Sequence, residues 1–114
     1  MNTQELKSGL AHFTGTEQWW KHNITAMTYT DGVRYFAQNA GAYWFLDIVG
    51  TEVMPQGHEF AAVKLVSKDG KATIVVEDGN GNTSWEKKID FTDCPEGVWS
   101  FYLIDAVLLL PSEY

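Results

Sequence analysis

At 114 residues, 45% of them hydrophobic and 14% aromatic, the chain has the size and apolar content of one self-folding domain spanning residues 1–114. Fifteen acids against eight bases leave a net charge of −7, and Arg34 is the only guanidinium. The seven lysines are scattered, so no basic stripe exists to release counterions from a nucleic acid; a protein with a basic surface is the expected partner.

Asn2 and Glu5 have capping-box spacing, and Leu6, Leu10 and Phe13 recur at helical intervals, which predicts a first helix ending near Phe13. Thr14 to Asn23, with Gly15 and the Trp19-Trp20 pair, reads as an ordered loop. Ile24 to Thr30 is β-branched and aromatic and reads as a strand, with Asp31 placed to cap the next helix. Val33, Phe36, Ala37 and Ala40 then share one helical face, and Gly41 ends that helix. Ala42 to Val49 is apolar almost all round. It reads as a buried helix, with a buried strand as the competing assignment.

Beyond the Pro55–Gly57 loop the period changes to two, with hairpin signals at Asp69-Gly70 and Asp78-Gly79-Asn80-Gly81-Asn82. Ala61, Val63 and Leu65, then Ala72, Ile74 and Val76, then Trp85, Ile89 and Phe91 each line one face of a strand. Val98–Ile104 and Val107–Leu110 read as central strands joined at Asp105-Ala106. The whole predicts an α+β fold: an antiparallel sheet of five or six strands, a C-terminal meander among them, with two or three N-terminal helices on one face.

No phosphate-cradling loop, dinucleotide fingerprint or nucleophile elbow occurs, so no catalytic residue is assigned and no cofactor is implied. Asp78, Asn80 and Asn82 match three calcium-loop positions, but Thr83 and Ile89 stand where glycine and a bidentate acid belong, so a plain hairpin turn is expected. His12, His22 and His58 lack metal-ligand spacing, so ordinary histidines are expected unless the fold brings them together, and Cys94 is the sole cysteine, which leaves neither an internal disulfide nor a multi-thiolate metal site. A third possibility for chemistry is a hydrolase in which Glu17, Asp31 or Asp47 works with a histidine. Asp47, inside an apolar segment, needs a partner; Arg34, a Trp indole or a helix N-terminus is expected to supply it. Glu17, Trp19, Trp20, Tyr43 and Trp44 form the candidate binding surface, either a protein hot spot or an aromatic pocket for a nucleotide or sugar. The first twenty residues carry no basic segment leading into an apolar core, and no run is long enough to span a bilayer; a cytoplasmic protein is expected, with homo-oligomers allowed.

Five segments, Phe13-Thr-Gly-Thr-Glu17, Tyr29-Thr-Asp-Gly-Val33, Ala40-Gly-Ala-Tyr-Trp44 with Asp47, Asp78-Gly-Asn80 and Leu110-Pro-Ser-Glu-Tyr114, carry a resemblance across nearly the whole chain. The sequence resembles a family of small uncharacterised bacterial proteins, a domain of unknown function also met on plasmids and phages. That family favours an aromatic residue where this chain has Cys94, which argues against a nucleophilic thiol. Joined to the acidic charge, the resemblance implies a mobile-element accessory or counter-defence factor, comparable to an anti-CRISPR protein, that binds a basic protein surface without turning over a substrate.

Overall fold

A computed structural model describes residues 1–114. Three helices, α1 (Thr3–Leu10), α2 (Asp31–Ala40) and α3 (Tyr43–Ile48), pack on one seven-stranded sheet. The strands are β1 (Trp19–Lys21), β2 (Thr28–Thr30), β3 (Phe60–Lys68), β4 (Lys71–Glu77), β5 (Thr83–Ile89), β6 (Gly97–Ile104) and β7 (Val107–Leu109), in the order β1-β2-β7-β6-β3-β4-β5.

Two expectations about the sheet change. It has seven strands, and β2 runs parallel to β7, so it is mixed and not antiparallel throughout. The extra strand is β1, within the segment read as loop. It pairs Trp19 with Thr30, Trp20 with Tyr29 and Lys21 with Thr28, and three residues are too few to display a period. The strand expected from Ile24 shrinks to Thr28–Thr30, and Ile24 itself is exposed.

Helix starts obey local chemistry. Asn2 and Glu5 form the reciprocal capping box, with the Asn2 side chain accepting from the Glu5 amide at 2.8 Å. The helix stops at Leu10, short of Phe13. Thr30, not Asp31, caps α2, its hydroxyl accepting from Val33 N–H. Gly41 ends α2 at φ 63°, a left-handed conformation that glycine adopts without steric cost. Tyr43–Ile48 is a helix and not a buried strand, and it continues through a π turn (Val49–Val53) into a 3-10 turn (Met54–Gln56). It is less enclosed than its composition implies, because Tyr43 and Asp47 are exposed.

The meander keeps the predicted turns and the predicted inward faces of β3 and β4, with a register shift between β4 and β5 at Val76/Glu77. Asp69-Gly70 joins β3 to β4 with positive φ at both residues, and Asp105-Ala106 joins β6 to β7 in the same way. Ala61, Val63 and Leu65 of β3, Ile74 and Val76 of β4, and Trp99, Phe101 and Leu103 of β6 turn to the helices and are buried. Phe36 and Phe45 meet Phe101 with ring centroids at 5.0 and 4.9 Å, and Trp99 lies 5.6 Å from Phe36, which locates the centre of the core. Phe91 departs from the pattern. It lies beyond the end of β5, where the alternation no longer applies, and is 84% exposed.

The C-terminus locks the first half to the last. Glu113 accepts from the Thr30 hydroxyl at 2.6 Å, Gly32 N–H at 3.1 Å and Leu110 N–H at 2.9 Å. A Cβ on Gly32 would fall 2.5 Å from Leu110 Cδ1 and 2.8 Å from Glu113 Oε1, so any larger residue there would displace the side chains that join α2 to the C-terminal turn. The opposite face of the sheet carries no α-helix, although Pro111 of the C-terminal 3-10 turn reaches it, and no helix of the structure is long and apolar enough to cross a membrane.

Candidate functional site

The proposed binding residues do not assemble into one wall. On β1 adjacent side chains face opposite ways. Trp20 sits in a row with Tyr29 and Leu108 on the helix-covered face, whereas Trp19, 60% exposed, belongs to the other face at the sheet edge. Tyr43 is exposed at the start of α3, on the helix side, and Trp44 is half-buried with its ring edge-on to Phe45 at 6.4 Å. Glu17 is exposed in the loop before β1. Trp19 and Tyr43 are therefore separated by the sheet, and cannot enclose a ligand between them.

Trp20 is engaged internally. Its indole N–H donates to Asp31 Oδ1 at 2.9 Å, and the Arg34 guanidinium lies 3.8 Å above its ring. Asp31 Oδ2 accepts the Glu17 amide at 3.2 Å, and the Asp31 amide donates to Thr16 Oγ1 at 3.0 Å. The indole hydrogen bond, with those from Glu17 and Thr16, holds the Asp31 carboxyl below its usual 3.8 against the opposing effect of desolvation. The only arginine is thus spent on stacking, and the loop from residue 14 to 18 is tied to the start of α2.

Asp47 corrects an expectation. Its partner is neither Arg34 nor an indole but His22, whose Nε2 stands 2.7 Å from Asp47 Oδ1. His22 is 5% exposed while the Asp47 side chain is 59% exposed. His22 Nδ1 accepts from Thr25 N–H at 3.2 Å, so the ring proton sits on Nε2 and is donated to the carboxylate. The Thr25 hydroxyl lies 2.9 Å from the same Nδ1. A Cβ on Gly50 would stand 2.8 Å from Thr25 Oγ1, so glycine lets the π turn close over this loop. The hidden signal was the His22-x-x-Thr25 spacing, which lets one side chain bond the backbone three residues on. Nearby Tyr29 has its hydroxyl raised above 10.0, first by burial and then by Tyr43, with Arg34 opposing and Asp47 adding.

The carboxylate and imidazole groups considered for hydrolysis are divided between two places. Asp47 joins His22 as described, while Glu17, Asp31 and His12 line a cleft of about 470 Å³ beside the Phe13–Thr16 loop. Asp31 has both oxygens occupied and is held ionised, so it has no proton to deliver. His58 lies elsewhere, 3.0 Å from Gln56 Oε1. No group of three or more His, Cys, Asp or Glu side chains converges as metal ligands do. Asp78 takes the hairpin role: its Oδ1 accepts from Asn80 N–H at 2.8 Å and Asn82 N–H at 3.0 Å. Cys94 is buried, and burial pushes its thiol up to about 11 although Ser67 opposes the shift.

One pole of the molecule presents a different surface. The β5–β6 connection is pinned by Thr92 N–H to Gly70 O at 2.8 Å, Ser67 Oγ to Cys94 O at 2.9 Å and Thr3 Oγ1 to Glu96 O at 2.6 Å. Asp69 N–H donates to Glu96 Oε1 at 3.1 Å, which joins the β3–β4 turn to the same connection. From this braced segment Phe91 projects into solvent, with Asp90 and Asp93 exposed on either side. Asp69 and Glu96 extend the acidic surface, outnumbering Lys68 and Lys71 at the turn. An aromatic bracketed by acids just before Cys94-Pro95 was the available sequence signal; strand parity masked it.

In comparison with known proteins, residues 4–114 match a family of unknown function. No curated protein and no solved structure matches the chain.

Proposed function

We propose, for a chain that belongs to the DUF6876 family of unknown function, a non-enzymatic role in which the acidic pole around Phe91 binds a basic surface on a partner protein. The exposed Phe91 carries this reading. Folding gains little from an aromatic ring left 84% in water, whereas an interface gains a large apolar anchor from it. The segment that follows it is held at Thr92 and Cys94 by hydrogen bonds in the free protein, which lowers the ordering cost of binding. Asp69, Asp90, Asp93 and Glu96 would steer a cationic surface toward that anchor and repel nucleic acid. A basic surface that otherwise holds nucleic acid has the matching chemistry. Occupying it in the cytoplasm is how an accessory or counter-defence factor of a mobile element would act.

The test is affinity capture from a bacterial lysate at low and moderate salt, with wild type, Phe91→Ala and Asp90→Asn/Asp93→Asn as baits. A basic protein held by wild type, weakened by added salt and lost from Phe91→Ala supports the reading. Equal capture by all three baits, or no partner at either salt, would overturn it. Phe91→Ala should unfold within about 0.5 kcal/mol of wild type, as exposed substitutions do, so lost capture would not reflect lost folding.

A further inference from the structure

The helix-free face of the sheet holds a hollow of about 490 Å³, and we propose that it binds an uncharged pyranose sugar. Its floor is low because Ala62 on β3 and Ser100 on β6 are small. Around them rise taller side chains. Phe60 and Tyr102 stand with ring centroids 5.1 Å apart, and Pro111 joins them in the lining; behind Tyr102, outside the hollow, Tyr114 makes a T-shaped contact at 5.8 Å. Opposite the rings, Lys64 Nζ and Glu77 Oε1 meet at 2.7 Å. The Asp78–Asn82 turn forms a wall over Phe60, to which a Cβ on Gly79 would come within 3.9 Å of Cδ1.

Each part has a use for a sugar. Aromatic faces carry partial negative charge and receive the C–H bonds on one side of a pyranose. An ammonium and a carboxylate side by side offer donors and an acceptor to neighbouring hydroxyls, and the Ser100 hydroxyl adds one more group. Pockets for small molecules run from roughly 300 to 1,000 Å³ and pair apolar walls with a few polar groups, a description this hollow meets. The Asp78 carboxylate fixes the wall through its own turn before any ligand arrives. Lys64 is already paired with Glu77, so Asp78 and the net charge of −7 leave the hollow unfavourable to phosphate and carboxylate, which favours a neutral sugar over nucleotides, sugar phosphates and uronic acids. The site lies apart from the Phe91 pole and does not depend on it.

The experiment is an amide ¹⁵N–¹H titration of the full chain with methyl glucoside, methyl galactoside, methyl mannoside, maltotriose and cellotriose, and separately with AMP and galacturonic acid. At least one neutral sugar should move the amides of Phe60, Lys64, Glu77, Ser100 and Tyr102 saturably, with neither anion doing so. Tyr102→Ala, which removes the platform, and Ala62→Leu, which fills the floor, should each weaken binding at least about tenfold. Melting and spectral dispersion establish that each variant is folded; if one is not, the other decides. Amides unmoved by every neutral sugar at its solubility limit, stronger shifts with AMP, or binding undiminished in a folded variant would overturn the proposal.

Discussion

His22 and Asp47, 25 residues apart in sequence, meet at 2.7 Å and fasten the loop between β1 and β2 to helix α3. The pair is asymmetric, since the imidazole is buried and the carboxylate is largely in water. Removing the imidazole leaves the Thr25 amide without its acceptor and opens a void, so His22→Ala should cost about 1–3 kcal/mol. Asp47→Ala loses one partly solvated contact and should cost at most about 1 kcal/mol. Urea unfolding of both single variants and the double variant gives the coupling, and a loss for Asp47→Ala as large as for His22→Ala would contradict this geometry.

Acid should weaken the protein partly through Asp31. Its native carboxyl lies below 3.8, so it contributes stability that is complete above the unfolded value and is lost as pH falls through the lower native one. Asp78, lowered mainly by amide donors from Asn82 and Asn80, acts in the same direction. Melting temperature measured from pH 7 to pH 2 should therefore fall less steeply, from a lower starting point, in Asp31→Asn than in wild type. Parallel curves for the two proteins would contradict this assignment.

Ala106 occupies φ 65° in the β6–β7 turn, a conformation that its Cβ disfavours. Its carbonyl accepts Thr28 N–H at 3.0 Å, so the turn also holds β2 in place. Ala106→Gly relieves the strain while keeping the carbonyl, and should stabilise the fold by about 0.5–1 kcal/mol after the added freedom of the unfolded chain is subtracted. Denaturant midpoints measure it; a destabilised variant would show the turn to be unstrained.

Cys94 should be inert in the native protein. With its thiol pushed up to about 11 and its side chain buried, almost no accessible thiolate exists at pH 8. Reaction with iodoacetamide should be slow in buffer and become rapid in urea, with mass spectrometry as the readout. Rapid labelling of folded protein would mean that the thiol is exposed and activated.

Features set by near neighbours along the chain were legible before folding. The Asn2–Glu5 capping box, the helical face of Val33, Phe36, Ala37 and Ala40, and the Asp69-Gly70 and Asp78–Asn82 turns all arise from contacts within a few residues. Features that need distant partners emerged with the folded chain. Strand β1 is paired by β2 alone, and β2 finds its parallel partner in β7, where Thr28 meets Val107 and Tyr29 meets Leu108 from the far end of the chain. Asp47 found His22 instead of Arg34, which Trp20 had already engaged. Phe91 left the core where β5 stopped short of it. Periodicity reports which face a residue takes while its element lasts, but neither where pairing ends nor which of several polar groups a folded chain brings within 3 Å of another.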